Sequence, residues 1–175
     1  MEENLIHTFE KIYGSESDAI FRFCLVRVSN REQALDITQE TFLRLWQNLS
    51  GDKEIKNNRA FLFTVANHLI IDWYRKKKSF SLDSLLENKE TEEYDIVDEK
   101  AESNILLGTE GRYLLEKLKE LMPIHQNPIY LRFIEDLSPQ EIGNILGISA
   151  NAASVRINRG LIELRKKTGY DSNII

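Results

Sequence analysis

The chain has 175 residues, 42% of them apolar, with three histidines, one cysteine and a formal net charge of −5 at pH 7. That length and apolar content suffice for one or two small domains with compact cores. Cys24 alone excludes an internal disulfide and reads as a buried helix residue, and no apolar run is long enough for a membrane span. With no secretory signal in view, a cytoplasmic protein without membrane insertion is expected. His7, His68 and His125 are scattered without metal-ligand spacing. No Ser/His/Asp set, catalytic carboxylate pair or glycine-rich phosphate loop stands out. The expectation is a protein without catalytic residues, metal or cofactor, and not an enzyme.

The first strongly patterned segment runs from about Arg31 to Leu49 and predicts a helix. Leu35, Phe42, Trp46 and Leu49 share one narrow stripe and are assigned to the core. Asp36, Glu40, Leu43 and Gln47 form a second stripe about a quarter-turn away. That stripe is either plain surface or a docking face, because an apolar residue framed by carboxylates and an amide can bury against a basic partner helix.

A polar loop, Ser50 to Asn57, precedes a long helix predicted over about Asn58 to Lys78. Phe61, Leu62, Val65, Leu69 and Trp73 can face a core. Phe63, Asn67, Ile70 and Tyr74 make another stripe, followed by Arg75, Lys76, Lys77 and Lys78. Two readings stand: a helix buried on both sides with a basic end, or aromatic and amide platforms for bases taken out of a DNA stack.

Ser79 to Ser103 carries nine acids (Asp83, Glu87, Glu90, Glu92, Glu93, Asp95, Asp98, Glu99 and Glu102) against Lys89 and Lys100. The segment is thus −7 and the rest of the chain +2. Low apolar content and like charge predict a linker between two helical domains. Residues 1–78 are assigned to the first domain, 79–103 to the linker and 104–175 to the second domain. The linker is a solvated tether or a mimic of nucleic acid lying in a partner's basic channel.

In the second domain, Leu137-Ser138-Pro139-Gln140-Glu141-Ile142-Gly143-Asn144-Ile145-Leu146-Gly147-Ile148-Ser149 reads as the first helix and turn of a helix-turn-helix. Ser138 can cap the helix, Pro139 suits its first position and Glu141 completes a capping box. Ile142, Ile145 and Leu146 supply a buried face, and Gly147 permits a sharp exit. Ser149 caps a second helix reaching about Lys167. At about 100° per residue, Ala153, Ile157, Gly160, Leu161 and Leu164 fall inward. Asn151, Val155, Asn158, Arg159 and Ile162 fall outward, flanked by Ser154 and Arg156. Asn can pair with adenine, Arg with guanine or phosphate, and Val can touch a thymine methyl. An ordinary helical hairpin with a solvated polar face is the plainer alternative.

From about Ile20 to Lys167 the chain resembles bacterial sigma factors of the extracytoplasmic-function (ECF) class, within the sigma-70 family. Asp36-Ile37-Thr38-Gln39-Glu40-Thr41-Phe42-Leu43-Arg44-Leu45-Trp46 is similar to the family's polymerase-binding helix, of the form D-hydrophobic-x-Q-E-x-F. Asn58 to Asn67 is similar to the opening of its promoter-melting helix. Leu118-Lys119-Glu120-Leu121-Met122-Pro123, Ile129 to Phe133 and the helix-turn-helix are similar to its C-terminal domain. The resemblance implies an all-α protein that binds core RNA polymerase and directs promoter-specific transcription initiation.

It further implies that Asp36, Gln39, Glu40 and Leu43, with Gln47 on the same face, dock the polymerase. Phe63, Asn67 and the 50–57 loop would capture an unstacked base of the downstream promoter element. Tyr74 and Arg75 to Lys78 would hold nearby DNA. Asn151, Ser154, Val155, Asn158 and Arg159 would read the upstream element, with Arg156 on phosphate. The acidic linker would thread toward the RNA exit channel, and an anti-sigma protein is an implied partner. One departure stands out: Asn151-Ala152-Ala153-Ser154 occupies a stretch where family members often carry Gly-Thr-Val and then a basic residue. The alternatives are a stand-alone helix-turn-helix regulator and, more remotely, a protein-interaction adaptor without DNA work.

Overall fold

A computed structural model describes residues 2–51, 55–86 and 109–169. These residues form seven α-helices and no strand. The chain divides into two compact units, Met1–Asn104 and Ile105–Ile175. Among the described residues, no helix is long and apolar enough to cross a membrane.

Unit 1 packs three helices against one another: α1 (Glu2–Val28), α2 (Arg31–Ser50) and α3 (Asn58–Leu86). No sequence pattern announces α1, because the polar run Gly14-Ser15-Glu16-Ser17 interrupts its apolar positions. The helix passes through that run, and the Ser15 hydroxyl donates to the Ile12 carbonyl at 3.1 Å. Beyond it, Ala19, Ile20, Phe23 and Cys24 enter the core. Ser29, at φ +51°, reverses the chain, and the Asn30 side chain then caps α2 by accepting the Gln33 N–H at 3.0 Å.

The buried face of α2 differs from the expected stripe. Ala34, Ile37, Thr38, Thr41, Phe42 and Leu45 are buried, whereas Leu35 is 38% exposed and Trp46 only half-buried. The core therefore centres about a quarter-turn from where Leu35 and Trp46 would put it. Two threonines make this possible. Thr38 and Thr41 donate to the carbonyls of Ala34 and Ile37 at 2.6 and 2.7 Å. With its hydroxyl satisfied within its own helix, a threonine buries as a small branched apolar group.

The Asn57 side chain starts α3 by accepting the Ala60 N–H at 2.9 Å. Its length corrects the expected boundary at Lys78: the helix continues to Leu86. Ser79 to Leu86 contains neither glycine nor proline, and most of the acids come later. Residues 87–103 of the expected linker lie outside the described residues.

Unit 2 comprises α4 (Thr109–Lys119), α5 (Pro123–Phe133), α6 (Pro139–Leu146) and α7 (Ala150–Thr168). Helix α7 packs on α5 and α6 and touches α4. Leu118, Ile129, Tyr130, Leu131, Ile142, Ile145, Ala153 and Ile157 form the core. Between α5 and α6, Asp136 takes a left-handed φ of +52°, and the Leu137 N–H reaches back to the Leu131 carbonyl at 3.0 Å.

Cys24 is fully enclosed, and burial pushes its thiol up from 9.0 to about 12, against smaller opposing effects of the Thr38 hydrogen bond and of Arg27. The folded chain keeps a proton that the unfolded chain releases near its ordinary value, so this stabilisation is complete below pH 9 and is lost as pH rises toward 12. Denaturant unfolding should therefore show stability falling above pH 9 in the native chain and falling less in Cys24→Ala. Equal slopes in both chains would remove Cys24 as the cause.

Candidate functional site

Three surfaces carry the residues singled out by sequence. On α2, Asp36, Gln39, Leu43 and Gln47 are exposed, and Glu40 is partly so. Leu43 is 49% exposed, an apolar side chain standing among these polar ones. Glu40 accepts from Arg44 at 2.9 Å, a pair more than two-fifths open to solvent and cheaply broken by a competing partner. The inward turn of the threonines leaves this face bare and brings Leu35 to its edge.

On α3 the structure corrects two assignments. Phe63 is fully buried, with its ring centroid 5.3 Å from that of Phe23, and the Arg59 guanidinium lies 5.3 Å over it. Asn67 and Ile70 are buried as well. Helices α1 and α2 both pack against α3, so Phe63, Asn67 and Ile70 lie in the core, while the stripes emerge at Trp73 and Tyr74. Farther along, Tyr74 is exposed at the ring, while its hydroxyl donates to the Arg27 carbonyl. Partial burial raises the Tyr74 phenol, an effect lessened by the Arg27 charge.

Arg75, Lys76, Lys77 and Lys78 are exposed. Arg75 pairs with Asp72 at 2.9 Å, and the Lys77 ammonium sits 5.5 Å over the Trp73 ring. Because α3 runs on to Leu86, these cations are two turns short of its end. The helix dipole, felt only in the last turn, does not account for them. Trp73, assigned to the core by periodicity, is half-buried and packs edge-on to Tyr74 at 4.9 Å, so it belongs to this surface.

The helix-turn-helix forms as read. Ser138 accepts the Glu141 N–H at 3.3 Å, and Glu141 accepts the Ser138 N–H at 2.8 Å, closing the capping box. Gly147 is left-handed at φ +67°, and Ser149 caps α7 by accepting the Ala152 N–H at 3.1 Å. Ala153, Ile157 and Gly160 are buried. Asn151, Val155, Asn158, Arg159 and Ile162 are exposed on the opposite side, Val155 at 39% and Ile162 at 54%. Ser154 and Arg156 are half-buried at the flanks, and the Ser154 hydroxyl donates to the Ala150 carbonyl at 3.1 Å.

Two features carry no sequence signal. Leu161 and Leu164 are only half-buried and line an open apolar groove of about 370 Å³ with Leu114, Leu118, Phe133 and Ile134. Gly143 is a close-contact residue: a Cβ there would meet the Ile148 carbonyl oxygen at 2.6 Å.

A helical unit with an exposed acidic face, followed by a unit that ends in a helix-turn-helix with its outer side open, defines a two-unit helix-turn-helix protein. Residues 12–80 match the family model Sigma-70 region 2, and residues 118–166 match Sigma-70, region 4. The chain is 31% identical over 164 residues to the ECF RNA polymerase sigma factor SigW of Bacillus subtilis, covering 91% of this chain and 88% of that protein. It is 27% identical to the RNA polymerase sigma factor YlaC of the same organism, over 91% of each chain.

Two solved structures share the fold. One is the sigma factor RpoE in complex with the anti-sigma factor NepR from Bartonella quintana, with a TM-score of 0.72 at 18% identity, covering 94% of this chain and 98% of that one. The other is CnrH in complex with the cytosolic domain of CnrY, with a TM-score of 0.66 at 20% identity, covering 95% and 90%. The chain belongs to the ECF RNA polymerase sigma factors. It binds core RNA polymerase and directs promoter-specific transcription initiation, and the stand-alone regulator is not favoured.

The turn geometry sets a test of its own. Gly143→Ala forces a Cβ against backbone and should cost about 1–3 kcal/mol of unit 2 stability. Gly147→Ala, in open space but left-handed, should cost only about 1 kcal/mol. Thermal unfolding of the two variants would reverse this account if Gly147→Ala proved the more damaging.

Proposed function

We propose that the division of labour within this sigma factor follows the three surfaces. Asp36, Gln39, Glu40, Leu43 and Gln47 dock the polymerase, with Leu43 buried on binding and the carboxylates facing basic side chains of the largest subunit. Tyr74, Arg75, Lys76, Lys77 and Lys78 hold DNA at the downstream promoter element, the cations on phosphate and the tyrosine ring against a base. Asn151, Ser154, Val155, Asn158 and Arg159 read the upstream element, with Arg156 on phosphate.

The single observation that carries this reading is the two-sidedness of α7. Its inner stripe is buried, while amide, guanidinium and aliphatic groups stand bare on the other side. Exposed valine and isoleucine gain little in water but fit a groove that carries thymine methyls. Phosphodiester bonds are made by the polymerase, not by this chain, which works in the cytoplasm. Residues 79–103 connect the promoter-melting and upstream-reading domains. An anti-sigma protein is its regulatory partner, a reading supported by the complexes in which its structural neighbours were solved.

Purified chain mixed with bacterial core RNA polymerase should co-elute on a sizing column, and Asp36→Ala/Glu40→Ala should abolish co-elution. Failure of the intact folded chain to co-elute would sink the docking assignment. In the assembled holoenzyme, Asn158→Ala and Arg159→Ala should each cost about 1–3 kcal/mol on the selected promoter and relax its specificity. Replacing one of Lys76, Lys77 or Lys78 should weaken binding evenly across sequences and lower the salt slope by about 1.

A further inference from the structure

Helix α1 begins before the residues 12–80 that match Sigma-70 region 2, so Ile6, Phe9 and Glu10 lie outside that match. Among its described residues Ile12 is the first that is buried, so α1 reaches about three turns past the start of its core contacts. Ile6, Glu10 and Tyr13 follow one another at spacings of four and three and share one outward stripe. All three are exposed, Ile6 at 45% and Tyr13 at 48%. Two ring contacts tie this stripe to α2: Tyr13 lies 4.8 Å from Phe42, and the half-buried Phe9 lies 5.3 Å from Trp46.

On α2, Trp46 stands three residues after Leu43, its neighbour on the helix surface. At about 100° per residue, Leu35, Trp46 and Leu43 span about 80° of α2, with Asp36 and Glu40 beyond Leu43 on the side away from α1. On α1, Glu10 lies beyond Ile6 on the side away from Phe9. The result is an apolar strip shared by two helices, with acids along both margins. Of the nearby cations, Lys11 falls well round α1 from the strip, and Arg44 is paired with Glu40 at 2.9 Å.

We propose that the polymerase seat of unit 1 has two walls. Ile6, Glu10 and Tyr13 of α1 grip the same basic, amphipathic helix of the polymerase largest subunit that Leu35 and Leu43 of α2 bury against. The inference rests on α2 being the polymerase-docking helix, and it extends that face beyond the residues that the family pattern covers. Charge selects this occupant. A second copy of the chain would set Glu10, Asp36 and Glu40 against the same acids, and anionic lipid or nucleic acid would be repelled. A helix with an apolar stripe between basic flanks meets both requirements, since its stripe covers the exposed leucines and rings while its cations face the two acidic margins. The aromatic floor of Phe9 and Trp46 supplies large, rigid contact area of the kind that carries binding energy.

The test uses the full chain assembled with bacterial core RNA polymerase. A benzophenone photo-crosslinker, an aromatic group that keeps the ring packing, replaces Tyr13 in one preparation and Leu43 in another. Both should crosslink to one and the same helix of the largest subunit. The same group in place of Asp18, exposed on α1 but off the strip, should not reach that helix. Crosslinking from the Tyr13 position to another subunit, or to nothing, while the Leu43 position succeeds, overturns the α1 wall alone. Failure at both positions overturns the α2 docking reading with it.

Titration of core polymerase with labelled chain adds an energetic readout. Ile6→Ser and Glu10→Lys, both at exposed positions, should each weaken binding about fivefold or more while leaving thermal unfolding unchanged. The loss in Glu10→Lys should shrink as salt is raised. Asp18→Lys makes the same change of charge away from the strip and should bind as the native chain does. Native affinity in both strip variants overturns the proposal. So does an equal loss in Asp18→Lys, which would reduce the effect to net charge.

Discussion

The helix-turn-helix depends on a place where no side chain fits. The backbone at Ile148, Ser149 and Ala150 passes within 3.2 Å of where a Cβ on Gly143 would stand, and the Ile148 N–H bonds the Gly143 carbonyl at 2.9 Å. Only a bare α-carbon lets the chain fold back so tightly over α6. The left-handed Gly147 then aims it, and Ser149 starts α7 within two residues. Everything that α7 presents outward follows from this contact, because the turn sets which side of the helix meets α5 and α6. A looser turn would rotate Asn158 and Arg159 with the rest.

Unit 1 solves a related problem with different chemistry. Helix α2 buries one face and leaves another bare. Thr38 and Thr41 let the buried face be narrow, and an aromatic group holds its flank to α1. Phe9 meets Trp46 edge-on at 5.3 Å, and Tyr13 meets Phe42 at 4.8 Å. Edge-to-face packing of this kind adds about 0.5–1.5 kcal/mol per pair beyond area burial. The far side, from Asp36 to Gln47, takes no part in that core.

Charge is distributed with equal consequence. The chain is acidic overall, yet cations gather on the exposed surface of α3 and along α7. A net negative chain resists broad attraction to DNA, and local basic surfaces act once another contact has brought DNA close. That arrangement suits a subunit whose DNA binding follows assembly with polymerase. Lys117, raised by its bond to Glu120, and Glu120, lowered by the same bond, show one acid of unit 2 engaged in holding the end of α7.

Much of this was legible in one dimension where the cause is local. A capping serine, a proline after it and a glutamate three residues on are neighbours in sequence, so the start of α6 and the outward set of α7 could be read directly. The same holds for Cys24 as an interior residue and for the exposed stripe of α2. Periodicity misled where burial depends on more than one neighbour. It left Phe63 and Asn67 open as a platform, because a second apolar stripe looks the same whether it meets DNA or another helix; α1 and α2 decided that. It placed Leu35 inside because it did not count threonine as apolar. It ended α3 at the last lysine because charge, not a helix breaker, marked the spot. Sequence by itself determined the class of protein, the caps of α6 and α7 and the residues that face outward from α7. Tertiary structure decided which apolar faces close and how near helices approach at Gly143 and Gly160, since these are contacts between segments far apart along the chain.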